Sequence, residues 1–134
     1  MKRLTLLTTL TLTISLMFSP VCWGEWVEVS KSVDGDSYYV DFDRIRQYEG
    51  YVYFWELSDY ITNYDSLGTM SVKVYNQGDC DSFRYKKLSY TFYKGPMGEG
   101  TSTTETPDTN WNYPPPNSFA ETILKSVCDF VKTR

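Results

Sequence analysis

The sequence of 134 residues contains no histidine, no excess of basic residues and, after its first eighteen residues, no long apolar run. Without histidine the chain cannot form a Ser-His-Asp triad, a Cys-His pair or an imidazole metal site. Its 13 basic and 17 acidic residues give a net charge of -4, whereas nucleic-acid binding needs clustered Lys and Arg. We therefore expect one small domain with no nucleic-acid partner.

The first 24 residues have the layout of a secretory signal peptide. A basic start, Met1–Arg3, precedes an apolar stretch at 4–18, and small residues stand before a cut after Gly24. A transmembrane anchor needs about 20 apolar residues, and this stretch is shorter and rich in Thr. The sequence therefore predicts a signal peptide over 1–24, an exported domain over 25–134, and no transmembrane segment in the mature chain.

Cleavage would reduce the cysteines from three to two, Cys80 and Cys128. An even pair in an exported chain predicts one disulfide bond. The alternative, a redox or metal site, lacks both a C-x-x-C motif and a third ligand. Cys22 could instead be a lipidated first residue, although Val21 stands where a bacterial lipoprotein has a small residue. We favour cleavage after Gly24 and keep lipidation as the alternative.

Six segments of the mature chain alternate between apolar and polar residues or are rich in β-branched and aromatic residues. The predicted strands are Trp26–Val29, Ser37–Asp41, Tyr51–Leu57, Thr69–Tyr75, Phe83–Tyr93 and Thr101–Glu105. The turn signal Asp34-Gly35 joins the first two strands in a hairpin. Apolar side chains on both faces of the third strand predict a central position in the sheet, with the helix covering one face. The last strand is polar and predicts a sheet edge.

Three shorter features are expected between these strands. The segment Asp43–Arg46 predicts one helical turn closed by Glu49-Gly50. The residues Asn76–Asp79 predict a turn. A change of alternation at Lys86-Lys87 predicts a β-bulge.

The end of the chain predicts one helix. Pro114–Pro116 should form a polyproline II spacer, and Ser118 with Glu121 fits a capping box at the start of the helix. Apolar residues then recur at helical spacing as one stripe, namely Ala120, Ile123, Leu124, Val127 and Val131. Cys128 borders this stripe, so a Cys80–Cys128 bridge would tie the helix to the sheet.

Acidic residues do not select an active site. The four aspartates within 34–43 lack the EF-hand spacing for Ca²⁺, and a turn followed by a helix start explains them. Asp79, Asp81 and Glu56 could in principle form a glycosidase pair, but nothing distinguishes them from the other acids. We therefore predict that the protein is not an enzyme and has no metal or other cofactor.

A compact basic group forms the candidate binding surface. Arg84, Lys86 and Lys87 follow one another closely, and Tyr75 belongs to the neighbouring predicted strand. A solvated strand face is the simpler explanation of the charges. The many tyrosines provide contact area at low entropic cost, but core packing and dimer formation explain them equally well. A protein partner and a dimer therefore both stay open.

Short landmarks follow one another along the mature chain: Tyr38-Tyr39-Val40-Asp41 with Ile45, Trp55, Ser71-Val72-Lys73, Asp79-Cys80, Phe92-Tyr93, Gly98-Glu99-Gly100 and Cys128. In this order they resemble the surface-adhesin protein E family of Gram-negative bacteria. The resemblance covers essentially all of the mature chain.

The resemblance implies an α+β fold, with an antiparallel sheet of about six strands and a C-terminal helix tied to it by a disulfide matching Cys80–Cys128. This agrees with the patterns above. It also implies exposure at the outer membrane and binding to host matrix proteins such as vitronectin and laminin. We expect an exported protein-binding domain at the outer-membrane surface or in the periplasm. A soluble periplasmic accessory protein without an adhesive role is the alternative.

Overall fold

The computed structural model describes residues 25–134, so the predicted signal peptide and Cys22 lie outside the described residues. Residues 25–134 form seven strands, two short 3-10 helices (Phe42–Arg44 and Pro96–Gly98) and one α-helix. The strands are β1 (Trp26–Lys31), β2 (Ser37–Asp41), β3 (Arg46–Tyr48), β4 (Tyr51–Asp59), β5 (Ser71–Asp79), β6 (Arg84–Tyr93) and β7 (Ser102–Glu105), and the helix is α1 (Phe119–Lys132). The predicted α+β class is confirmed.

All neighbouring strands pair antiparallel in one sheet with the order β1-β2-β4-β5-β6-β7, and β3 also pairs with β4. The long strand β4 is central, as its two apolar faces predicted. Its first half pairs with β3, where Tyr53 faces Arg46, and its second half pairs with β2, where Glu56 faces Val40. The exposed strand β7 lies at the edge, as its polar sequence predicted.

The predicted helical turn at Asp43–Arg46 is wrong in its extent. A 3-10 turn occupies Phe42–Arg44, where the Asp41 carboxylate accepts a hydrogen bond from the backbone N–H of Asp43. Arg46 instead begins β3, which returns into β4 through Glu49-Gly50. Both turn residues have positive φ angles, 51° and 85°, as tight turns between twisted strands require.

The predicted turn at Asn76–Asp79 is also wrong, because β5 continues through these residues to Asp79. Asn76 is fully buried and donates a hydrogen bond of 2.6 Å to Glu56 on β4. Gly78 leaves room for a close approach, since an added Cβ would lie 3.1 Å from Leu124 Cδ1 of the helix. These two residues serve packing inside the domain, although their types usually indicate turns.

The predicted β-bulge in the sixth strand is confirmed, one residue beyond Lys86-Lys87. Tyr75 pairs with Ser89 and Asn76 pairs with Lys87, which leaves Leu88 without a partner on β5. Because of this extra residue, the odd-numbered and even-numbered side chains of β6 exchange faces of the sheet at Leu88.

The helix α1 begins and packs as the sequence indicated. The Ser118 hydroxyl accepts a hydrogen bond from the Glu121 N–H, while the Glu121 carboxylate accepts one from Asn117 N–H. The buried face of the helix consists of Ile123, Leu124, Val127 and Cys128. This face packs on the sheet residues Tyr38, Val40, Val52 and Phe54 to form the core.

The predicted Cys80–Cys128 disulfide is present, with a Cα–Cα distance of 5.7 Å. Cys80 lies in the turn between β5 and β6, directly after Asp79, and Cys128 lies on the buried side of α1. The bridge therefore ties the helix to the end of the sheet where β5 turns into β6.

Candidate functional site

The face of the sheet that points away from α1 carries a continuous group of aromatic side chains. Because side chains alternate along a strand, Val52 and Phe54 of β4 point toward the helix, and Tyr51, Tyr53 and Trp55 point away from it. The register places Tyr75 of β5 directly opposite Trp55. The rings of Trp55 and Tyr75 lie 4.7 Å apart between centroids, and those of Tyr53 and Tyr75 lie 6.2 Å apart.

Trp111 extends this aromatic group from the proline-rich segment before α1. Asn112 exchanges two backbone hydrogen bonds with Tyr85, at 2.8 and 2.9 Å, which anchors the segment along β6. Trp111 then packs against Tyr51 with a centroid distance of 5.6 Å. The segment therefore contributes to the surface of the domain, although its prolines predicted only a spacer.

Cationic side chains lie among these rings. The Arg84 guanidinium is 4.1 Å and the Lys86 ammonium 4.5 Å from the centroid of the Trp111 ring. We name this surface the aromatic face; it consists of Tyr51, Tyr53, Trp55, Tyr75 and Trp111 with Arg46, Arg84 and Lys86. Its aromatic residues are all half-buried, so each ring is partly supported by the sheet and partly open to a partner.

Arg84 is held in place by Asp79, at 2.9 Å between Arg84 Nε and Asp79 Oδ2. The other Asp79 oxygen accepts hydrogen bonds of 3.2 Å from the N–H groups of Asp81 and Ser82. Burial alone would raise the pKa of Asp79, but Arg84 and these N–H groups hold that pKa below its usual value. Asp79 therefore holds both the turn and the Arg84 guanidinium in place, and each of its carboxylate oxygens already accepts hydrogen bonds within the domain.

The structure brings together three of the four residues predicted as a binding surface. Tyr75, Arg84 and Lys86 lie on the aromatic face, because β6 pairs Arg84 with Asp79 and Lys86 with Gln77 on the same side as Tyr75. Lys87 points to the opposite face, toward Glu56, since consecutive strand residues alternate. The expected single basic group is thus divided between two surfaces.

A loop covers the end of the same sheet face near the β4–β5 connection. The Ser71 hydroxyl donates to the Gly95 carbonyl at 2.7 Å and accepts from the Gly98 N–H at 2.8 Å. The Met97 N–H donates to the Asp59 carboxylate at 2.7 Å. These bonds fix the loop at that end, so the aromatic face lies beside it rather than beneath it.

Metal-ligating side chains do not converge within residues 25–134, where no group of three could hold an ion. Of the aspartates considered for Ca²⁺, Asp41 pairs with Arg44 at 3.4 Å, and Asp36 accepts a hydrogen bond from the Ile61 N–H. In the same part of the chain, no helix is both long and apolar enough to cross a membrane.

Comparison with known proteins gives one family match. The model of the family described as surface-adhesin protein E matches residues 26–129. A comparison with curated proteins gave no match.

Solved structures of Haemophilus influenzae protein E share the fold. One matches with a TM-score of 0.61 at 17% identity, covering 86% of this chain and 91% of that chain. A second crystal form gives 0.60 at 18% identity, with 82% and 91% covered. Protein E from a non-typeable strain gives 0.56 at 17% identity, with 83% and 79% covered.

Proposed function

The chain belongs to the surface-adhesin protein E family, and from this premise we propose that it is an exported adhesin that binds a host matrix protein through the aromatic face. Membership makes it an adhesin-like surface protein of a family that is not an enzyme family. The matrix partner and the binding surface are our proposal. The observation that carries the proposal is the open group of packed, mutually tilted rings and cations on the sheet face that α1 does not cover.

The residue types on this face are those that dominate the binding energy at protein interfaces. Trp, Tyr and Arg are enriched among residues whose truncation costs the most affinity. Here Trp55 packs against Tyr75, and Arg84 lies over Trp111 and is held by Asp79. Side chains already held by such contacts lose little further freedom when a partner binds, which favours affinity.

Charge supports the same surface. The chain has a net charge of -4, yet Arg46, Arg84 and Lys86 gather on this one face. A local positive surface steers an acidic segment of a partner into the correct orientation and accelerates association. The partner we propose therefore presents acidic residues beside apolar groups.

Substitutions on the aromatic face should weaken binding to immobilised vitronectin or laminin, measured by surface plasmon resonance with the mature domain. We expect Tyr75→Ala to raise the Kd by about tenfold or more, since truncation of an interface hot spot commonly costs about 2 kcal/mol. Lys86→Gln should mainly slow association and reduce its dependence on salt. Lys132→Gln removes an exposed charge from α1 and should leave binding unchanged.

Two results would contradict this assignment. If the parent domain binds neither matrix protein at micromolar concentration, the adhesive role is removed and the periplasmic accessory role takes its place. If Lys132→Gln weakens binding as much as Lys86→Gln, general charge and not the aromatic face controls the interaction.

We also propose that residues 1–24 are removed on export and that the domain is displayed at the outer surface. Protease added to intact cells should then degrade the protein, and the mass of the mature form should correspond to a start at Glu25. Protein that resists protease and is released only by osmotic shock would place the domain in the periplasm. A mature form that starts at a lipid-modified Cys22 would establish a lipid anchor instead.

A further inference from the structure

A groove lies on the side of the sheet opposite the aromatic face, where α1 leaves part of β5 and β6 uncovered. It has a volume of about 410 Å³, within the range of small-molecule sites. Three aromatic pairs surround it: Tyr38 with Phe119, Tyr60 with Tyr64, and Tyr90 with Phe92. The first pair is stacked with centroids 4.1 Å apart and planes 5° apart. The groove therefore offers flat apolar walls to a ligand.

A buried carboxylate forms part of its floor. Glu56 is only 8% exposed and lines the groove. Its Oε1 atom accepts the hydrogen bond of 2.6 Å from Asn76. Within the residues that the structure describes, no group donates a hydrogen bond to its Oε2 atom. Solvent reaches this atom from the groove. This oxygen is therefore free to accept a hydrogen bond from a bound molecule.

Keeping this carboxylate makes the folded domain less stable at neutral pH. Burial raises the pKa of Glu56, and the opposing effects of Lys87 and Asn76 do not cancel the rise. The folded state therefore binds more protons than the unfolded state between the ordinary and the raised pKa, so stability falls as pH rises through that window. A glutamine could accept the same hydrogen bond from Asn76 without this cost. A costly group with a free oxygen is typical of a binding site.

A second charge lies in the same groove. The Lys87 ammonium is 5.5 Å from the centroid of the Tyr90 ring. Burial alone would lower the pKa of Lys87, but Tyr90, Glu56 and Tyr85 hold that pKa above its usual value. Within the described part of the chain, Lys87 and Glu56 form no ion pair within 4.0 Å. The groove thus presents a cation and a carboxylate that are near each other but not in contact.

We propose that this groove binds a small zwitterion with an apolar body, of which an aromatic α-amino acid is the simplest example. The ligand ammonium donates to Glu56 Oε2, and the ligand carboxylate accepts from Lys87. The apolar body lies between the aromatic pairs. This site is independent of matrix binding, because it lies on the other face of the sheet.

Three probes with the same phenyl group test the proposal by calorimetric titration of the mature domain. L-phenylalanine carries both charges, 3-phenylpropionate lacks the ammonium, and 2-phenylethylamine lacks the carboxylate. We expect L-phenylalanine to bind at least about tenfold more tightly than either analogue, because each analogue leaves one charged group of the groove without its partner. No binding of L-phenylalanine at millimolar concentration would overturn the proposal. Equal affinity for all three probes would show that the charges of the groove do not recognise the ligand, and this result would also overturn the proposal.

Variants assign each charge to its residue. Glu56→Gln should remove the preference for L-phenylalanine over 3-phenylpropionate, which lacks the ammonium. Lys87→Gln should remove the preference for L-phenylalanine over 2-phenylethylamine, which lacks the carboxylate. Lys132→Gln, on the exposed side of α1, should change neither preference. Thermal unfolding checks the fold: at pH 7 Glu56→Gln should melt above the parent, since a glutamine has no carboxyl group to ionise in this buried position and can keep the Asn76 hydrogen bond. A stable Glu56→Gln domain that keeps the full preference would contradict the assigned role of Glu56.

Discussion

Replacing both bridged cysteines, Cys80→Ser with Cys128→Ser, should lower the free energy of unfolding by about 4 kcal/mol. The bridge joins residues separated by 48 positions. Without it the unfolded chain gains conformational entropy, because this loop is no longer closed. The loss can be measured by equilibrium unfolding in urea, with fluorescence of the tryptophans as the signal. A matching decrease in midpoint at an unchanged slope would show that stability and not compactness has changed.

The size of this effect reflects the construction of the domain. One helix covers the sheet, and Cys128 lies inside the core beside Val127 and Leu124. A small domain buries a limited fraction of its surface, so a covalent bond between its two layers contributes much of its margin of stability. The parent protein in reductant is the control, because it loses the bridge but keeps the sulfur atoms. A loss below about 1 kcal/mol in both would contradict the chain-entropy account.

The parts of the fold that the sequence predicted are those whose signal is local. The hairpin at Asp34-Gly35 needs a positive φ, which Gly35 provides at 100°. The start of α1 is encoded by Ser118 and Glu121 within four residues. Apolar side chains on both faces of β4 indicated a central strand, and β4 does pair with β2 and β3 along one edge and with β5 along the other. The bridge followed from counting the cysteines that remain after export.

The parts that sequence analysis missed depend on contacts between distant segments. The short strand β3 exists because Arg46–Tyr48 pairs with β4, and three residues carry too little periodicity to predict a strand. Trp111 reaches the aromatic face through the backbone pairing of Asn112 with Tyr85. A tryptophan in a proline-rich segment was the available signal, since such a large apolar ring favours burial. The grouping of Lys87 with Lys86 is a different case, because the alternation within one strand already places their side chains on opposite faces.

The contact between Leu124 and Gly78 gives the other large expected effect. Leu124 is 1% exposed, so Leu124→Ala should lower the free energy of unfolding by about 2–5 kcal/mol through lost burial and a cavity. Gly78→Ala should lower it by about 1–3 kcal/mol through overpacking, because its new Cβ would lie 2.9 Å from Val52 Cγ2 and 3.1 Å from Leu124 Cδ1. Urea unfolding of each variant measures both values.

The double variant Leu124→Ala with Gly78→Ala should lose less stability than the sum of the two single losses. Removing Leu124 Cδ1 frees space for the new methyl group, which in turn fills part of the cavity, and residues in contact commonly couple by about 0.5–3 kcal/mol. The relief stays partial, because Val52 still crowds the added methyl group. Val40→Ala is the matched control, since Val40 is equally buried but lies on β2, two strands from Gly78. Its loss should add to that of Gly78→Ala, and strict additivity in both pairs would show that Gly78 does not make room for the helix.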